Sequence, residues 1–151
     1  MKIWVDADAL PTAAKTVLFR AAERCRVCLT MVANRPLKVP SSPYLSSVVV
    51  GAGLDVADDW IVQQVQAGDL VVTADIPLAA QVVPRGALAL DPRGQLYNEQ
   101  NVQERLALRD LLADLRNLDL MNGGGPPPYT PKDVQRFASQ LNRYLSRPET
   151  F

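Results

Sequence analysis

The sequence predicts an α/β fold: three layers, with a mostly parallel, doubly wound sheet of about five strands and helices on both faces. Three observations carry this. Short aliphatic runs alternate with stretches of helical period along most of the chain, and the changeovers are marked by Asp, Pro and Gly. No internal repeat interrupts the alternation. The 151 residues, 48% hydrophobic and 21% charged, suit a single soluble domain with a substantial core.

Ile3 to Val5 reads as a short central strand. Pro11 follows at the tolerant first turn of a helix over about residues 11–24, with Asp8 a candidate cap. Ala14, Val17, Leu18, Ala21 and Ala22 form its apolar face. Val27, Leu29, Met31 and Val32 give a second strand. After the Pro/Ser-rich connection at Pro40–Pro43, Ser47 to Val50 gives a third with a buried look. A helix near Val56 to Gln66 turns Ile61, Val62 and Val65 inward, and Leu70 to Thr73 is the fourth strand. Asp75 can cap a short helix, Ile76 to Val83, ahead of a fifth strand at Ala87 to Leu90. Asp91-Pro92-Arg93-Gly94 is a strong turn signal, and Gln95 to Tyr97 can return as a short hairpin arm.

Asn101 and Glu104 have capping-box spacing before a helix with a leucine stripe, Leu108, Leu111, Leu112, Leu115 and Leu118. The stripe reads as core, and in part as a candidate homodimer face. A Gly/Pro-rich break at 122–128 precedes a C-terminal helix over 131–146, whose apolar face is Val134, Phe137, Leu141 and Leu145. All of this reads as one domain over 1–151.

Composition narrows the chemistry. No run is long and apolar enough to span a bilayer, and no basic-then-apolar signal peptide is evident, so a cytoplasmic protein without a membrane partner is expected. The two cysteines, Cys25 and Cys28, form a C-x-x-C that runs into a strand. A redox pair wants a helix N-terminus, and no histidine completes a zinc site. The absence of histidine excludes Ser-His-Asp and Cys-His catalysis as well as a His general base. Gly51-Ala52-Gly53 is a weak match to a dinucleotide loop and is followed by acidic residues.

Sixteen basic residues balance sixteen acidic ones, but they are not evenly distributed. Between Lys15 and Lys38 six basic residues face one acidic residue, whereas Gly51 to Asp75 holds five aspartates and no base. An acidic pocket beside a basic flank suits a cation together with a phosphate polymer. In a parallel sheet the carboxyl ends of the strands share one edge. Asp6 and Asp8 follow the first strand, Asp58 and Asp59 open the helix after the third, and Asp75 follows the fourth. Three strands thus bring five carboxylates to one rim. Hard cations, Mg²⁺ or Mn²⁺, take such oxygen ligands. Asp6 and Asp75 are the candidate direct ligands. Asp8, Asp58 and Asp59 are ligands, water-holders or general base. Each also stands near a helix start, where Asp is a favoured cap, so the joint placement carries more weight than any one residue.

Trp4-Val-Asp-Ala-Asp-Ala-Leu-Pro11, Arg20-Ala-Ala-Glu-Arg24, Val32-Ala-Asn34, Val56-Ala-Asp-Asp59, the block from Gly68 to Ala80, and Asp91-Pro-Arg-Gly94 together resemble the bacterial YaiI/YqxD family. The stretches Arg105–Leu115 and Asp133–Phe137 fit it too, so the resemblance covers nearly the whole chain. It implies a PIN-like domain, an α/β fold that often cleaves RNA or DNA with Mg²⁺ or Mn²⁺ at a ring of acidic residues. Asp6 and Asp75 match that ring best, and either Asp58 or Asp59 fills its middle position. The family usually reads Asp-Ala-Cys-Pro at the first motif; Leu10 stands there here, so a thiol at that point is not essential to this protein.

The leading expectation is therefore a divalent-metal-dependent nuclease acting on RNA or another phosphodiester, with Lys15, Arg20, Arg35 and Lys38 as candidate backbone contacts. Two alternatives use the same residues: a non-catalytic nucleic-acid or protein binding module, and a small-molecule phosphohydrolase working through an aspartyl phosphate.

Overall fold

The computed structural model describes residues 1–8, 10–53, 55–117 and 128–145. Six strands form one sheet in the order β3-β2-β1-β4-β5-β6. They are β1 (Lys2–Asp6), β2 (Cys28–Ala33), β3 (Leu45–Val49), β4 (Leu70–Val72), β5 (Leu88–Leu90) and β6 (Leu96–Tyr97). The first five are parallel, and β6 returns antiparallel along β5 as the hairpin arm foreseen in the sequence. The helices are α1 (Thr12–Cys25), α2 (Val56–Gln64), α3 (Ile76–Val82), α4 (Val102–Asn117) and α5 (Pro131–Leu145), with a 3₁₀ turn at Val83–Arg85. The α/β, mostly parallel, doubly wound architecture expected from the sequence is the one observed.

Both faces of the sheet are covered, and the period of two along each strand divides the core between them. Ile3, Val5, Leu29, Met31, Leu70, Val72 and Leu90 point to the layer with Leu18 of α1 and Phe137 and Leu141 of α5. Trp4, Val32, Val71 and Ala89 point the other way, against Ile61 of α2, Leu78 of α3 and Val102 of α4. A one-residue slip of any central strand would exchange these sets, so the register is firmly specified.

Several details depart from the sequence reading. The third strand starts at Leu45, two residues earlier than expected, and only Leu45 of it is buried. Its position at the sheet edge explains this: one side has no neighbouring strand to cover it. Asp8 does not cap α1, where Pro11 is the capping residue and makes no side-chain cap bond; Asp8 Oδ1 accepts from the Asn34 N–H instead. Asp75 does cap α3, accepting from Leu78 N–H at 3.0 Å. The Asn101 side chain reaches back rather than into its own helix: Oδ1 accepts from Asn98 N–H and Nδ2 donates to Leu96 O, tying α4 to β6.

The leucine stripe of α4 is not core. Val102 is the buried residue of that helix, while Leu108 and Leu111 are 47% and 54% exposed. Helical spacing shows which residues share a face, not whether another element covers it. Leu118 and all of the 122–128 break except Pro128 lie outside the described residues, as does position 146 at the expected end of α5.

Candidate functional site

The chain winds from β1 to β2 and β3 on one side, then crosses back through α2 to β4 and β5 on the other. The reversal falls between β1 and β4, and such a switch point leaves a crevice at the carboxyl ends of its strands. A pocket of about 360 Å³ opens there, lined by Asp6, Asp8, Asp55, Asp58 and Asp75 together with Leu10, Ala74 and Pro92. Among the described residues no basic side chain lines it.

Local structure holds these carboxylates in different ways. Asp6 ends β1 and is half-buried; its Oδ2 accepts the Thr73 hydroxyl at 2.9 Å. That hydroxyl oxygen accepts from Asp75 N–H at 2.9 Å, so one buried threonine links the ends of β1 and β4. Asp75 in turn accepts from Leu78 N–H through Oδ1. Asp6 is thus tied to β4 through Oδ2 and Asp75 to the start of α3 through Oδ1. Asp58 enters from the first turn of α2, and its carboxyl lies within hydrogen-bonding reach of Asp75.

The electrostatic outcome is a set of carboxyls reluctant to ionise together. Burial pushes Asp6 above the ordinary carboxylate range, and the charges of Asp75 and Asp8 add to this against the opposing Thr73 hydrogen bond. Asp58 is pushed up to about 7, first by burial, then by the charges of Asp75 and Asp6, by its hydrogen bond to Asp75, and by Asp55. Near neutrality Asp58 is therefore part-protonated in the cation-free pocket.

Of the five aspartates expected at the rim, four line the pocket: Asp6, Asp8, Asp58 and Asp75. Asp59 does not; it is exposed on the next position of α2, so helical geometry separates the two neighbours that the sequence left open. The sequence reading missed Asp55 and Thr73. Asp55 precedes α2 with φ of 63°, a left-handed conformation that Asp tolerates better than most residues. Its place beside two glycines was the available signal. Thr73 reads as strand in sequence, and only the register between β1 and β4 reveals the Asp6 bond. Lys15, Arg20, Arg35 and Lys38 do not line the pocket.

The donor set is all oxygen, as a hard cation requires, and a cation would relieve the repulsion that raises Asp6 and Asp58. Among the described residues, no three His, Cys, Asp or Glu side chains stand together in a way that could hold one metal ion. The described residues therefore form no cage of protein ligands around a metal. Cys25 and Cys28 are free thiols, the second exposed at the start of β2. No helix among the described residues is long and apolar enough to cross a membrane.

Comparison with known proteins agrees with the sequence resemblance. Residues 4–147 match the model of the family described as uncharacterized BCR, YaiI/YqxD family. The chain is 55% identical over 147 residues to a UPF0178 protein of Geobacter sulfurreducens, covering 97% of both chains. A UPF0178 protein of Thioalkalivibrio sulfidiphilus is 54% identical, with 97% of this chain and 99% of the relative covered. One from Maridesulfovibrio salexigens is 50% identical, with 97% of each covered. No solved structure matches the chain.

Proposed function

The chain belongs to the YaiI/YqxD family, and we propose that it is a divalent-cation-dependent nuclease hydrolysing phosphodiester bonds in RNA. One observation carries the proposal: among the described residues, the pocket at the β1/β4 switch point is lined by five aspartates and no base. A bare acidic pocket repels a phosphodiester, whereas the same pocket holding Mg²⁺ or Mn²⁺ attracts one. Asp6 and Asp75, which line the pocket, would hold the cation through carboxylate oxygens, with Asp58 or Asp8 adding a water-mediated contact. Bound there, the cation would supply Lewis acidity toward the phosphoryl oxygens. The chain's own part is to place and to move protons. Thr73 ties Asp6 to Asp75, and Asp58, on the first turn of α2 in the same pocket, would take a proton from the attacking water. Asp59, exposed and outside the pocket, has no place in this scheme.

The test is Mn²⁺-dependent cleavage of labelled single-stranded RNA by the full chain. Cleavage should stop with chelator and in the Asp6→Asn, Asp75→Asn double variant; undiminished cleavage by that variant sinks the proposal. A second reading, an acidic rim kept for binding without cleavage, draws on the lack of a three-ligand group among the described residues. It is favoured if the chain binds RNA with chelator present and never cuts it.

A further inference from the structure

A second concavity lies beside the acidic pocket and has the opposite charge. It is a shallow groove of about 630 Å³ along α5, lined by Lys132, Arg136 and Arg143 with Gln135, Ser139 and Gln140 between them. The spacing places these residues on one stripe of the helix, opposite Phe137 and Leu141, which are fully buried against α1 and the sheet. The three cations span roughly 16 Å along the helix. Among the described residues no carboxylate lines this groove. Asp133, beside Lys132 in sequence, is buried and already engaged: it accepts from the Thr130 N–H, the Thr130 hydroxyl and Arg93, and Arg136 comes only to 3.9 Å of it.

The groove and the acidic pocket meet at one turn. Pro92 lines the pocket, and Gly94, two residues on, lines the groove. Gly94 sits with φ of +92°, and a Cβ there would fall 2.8 Å from the Arg136 carbonyl carbon. Only glycine lets the turn close onto α5. The junction is held on its other side by Tyr129, whose hydroxyl donates to Pro92 O at 2.7 Å, and by the Arg93–Asp133 ion pair at 2.9 Å. The two concavities are therefore fixed relative to one another.

We propose that the α5 groove is the backbone track of the polymer, seating the phosphates that flank the one held at the acidic pocket. The polymer's identity as single-stranded RNA rests on the nuclease reading above. The groove's anion chemistry rests on its own residues. Amide and hydroxyl donors between three cations suit phosphate and sugar oxygens, and among the described residues no aromatic side chain lines the groove to stack a base, so contact there is indifferent to sequence. This moves the contact surface away from the α1 flank, since Lys15, Arg20, Arg35 and Lys38 line neither concavity.

The test is fluorescence anisotropy of a fluorescein-labelled oligouridylate with the full-length Asp6→Asn chain in chelator, so that binding is read without cleavage. Affinity is followed over a series of KCl concentrations. The Lys132→Gln, Arg136→Gln, Arg143→Gln variant should bind at least about tenfold more weakly at low salt, with the slope of log K against log salt reduced by about 2, as three lost contacts to a single strand require. These positions are exposed, so the fold should survive; an unchanged circular dichroism melt confirms it. A Lys15→Gln, Arg20→Gln, Arg35→Gln, Lys38→Gln variant should keep both affinity and slope. The proposal is overturned if the α5 variant binds as its parent does, if the α1 variant carries the loss, or if the parent binds no RNA. Cleavage is scored separately in the wild-type background. RNA held by the groove but never cut would remove the nuclease reading and leave the track standing. Cutting with unchanged KM in the α5 variant would do the reverse.

Discussion

The two ends of β1 and β4 carry aspartates in opposite circumstances. At the amino-terminal end, Asp69 is buried and saturated: it accepts from Lys2 N–H, from the Trp4 indole and from Gln66 N–H, all at 2.9 to 3.0 Å. At the carboxyl end, Asp6 has one hydroxyl donor, and Asp58 faces another carboxylate. The strands are the same, and so is the side chain. What differs is which backbone groups the parallel sheet leaves free at each end, and whether the carboxylate meets N–H donors or other acids. One end is built for stability, and the other carries repulsion between carboxylates that nothing in the protein relieves.

The largest effect should come from the saturated end. Asp69→Ala orphans the buried Trp4 indole and two part-buried N–H groups and should cost about 3 kcal/mol in urea unfolding, while leaving the Mn²⁺ binding proposed for the other end unaffected in the folded fraction. The reverse is expected across the sheet. Asp6→Asn with Asp75→Asn should lower cation affinity about 100-fold, near 2.7 kcal/mol. Metal-free stability should hold or rise, since Asn at 75 still caps α3 and two repelling charges are gone. A marked loss of stability in that variant would erase the contrast.

Thr73→Val probes the link between the two regimes. It removes the donor to Asp6 and the acceptor for Asp75 N–H, and should cost about 1–2 kcal/mol and raise Asp6 further, as carboxyl NMR titration would show. The smallest effect is in pH. In the unfolded chain Asp58 releases its proton near 3.8, whereas in the cation-free fold it holds the proton up to about 7. The native state then binds more protons over that interval, so Asp58's contribution is present below about 4 and is lost as pH rises through 7. Asp133 runs oppositely: the Thr130 N–H leads in holding its carboxyl below the ordinary range, aided by the Thr130 hydroxyl, Arg93 and Arg136. Its contribution is present above the unfolded value and is lost only in acid. Asp58→Asn should flatten the neutral slope of the melting temperature against pH without touching the acid limb.

Sequence legibility followed the same division. The strands were readable because Ile3–Val5 and Leu70–Val72 are apolar runs bounded by Asp, Gly and Pro. The rim was readable because strand ends in a parallel sheet share an edge, which brought Asp6, Asp8, Asp58 and Asp75 together without knowledge of side-chain positions. Choosing Asp58 over Asp59 needed the rotation of α2 about its axis, which a short helix with a weak apolar face does not announce. Leu108 and Leu111 have core spacing and no cover, because burial depends on the neighbour and not on the period. The α5 groove escaped notice because its floor is a glycine turn some forty residues away in sequence from the cations it meets.

The central position of β1 has a consequence for the order in which this chain can be made. A strand of the first six residues lies between β2 and β4, and its bonds to Asp69 and Thr73 span 65 to 67 residues. On a ribosome, β1 can pair with β2 early, but the rim that joins Asp6 to Asp75 cannot assemble until the middle of the chain has emerged. Phe137 and Leu141 emerge later than the strands they cover, and until they arrive the α1 layer lacks part of its apolar cover. The nascent protein thus acquires its acidic pocket before that wall of the core is closed.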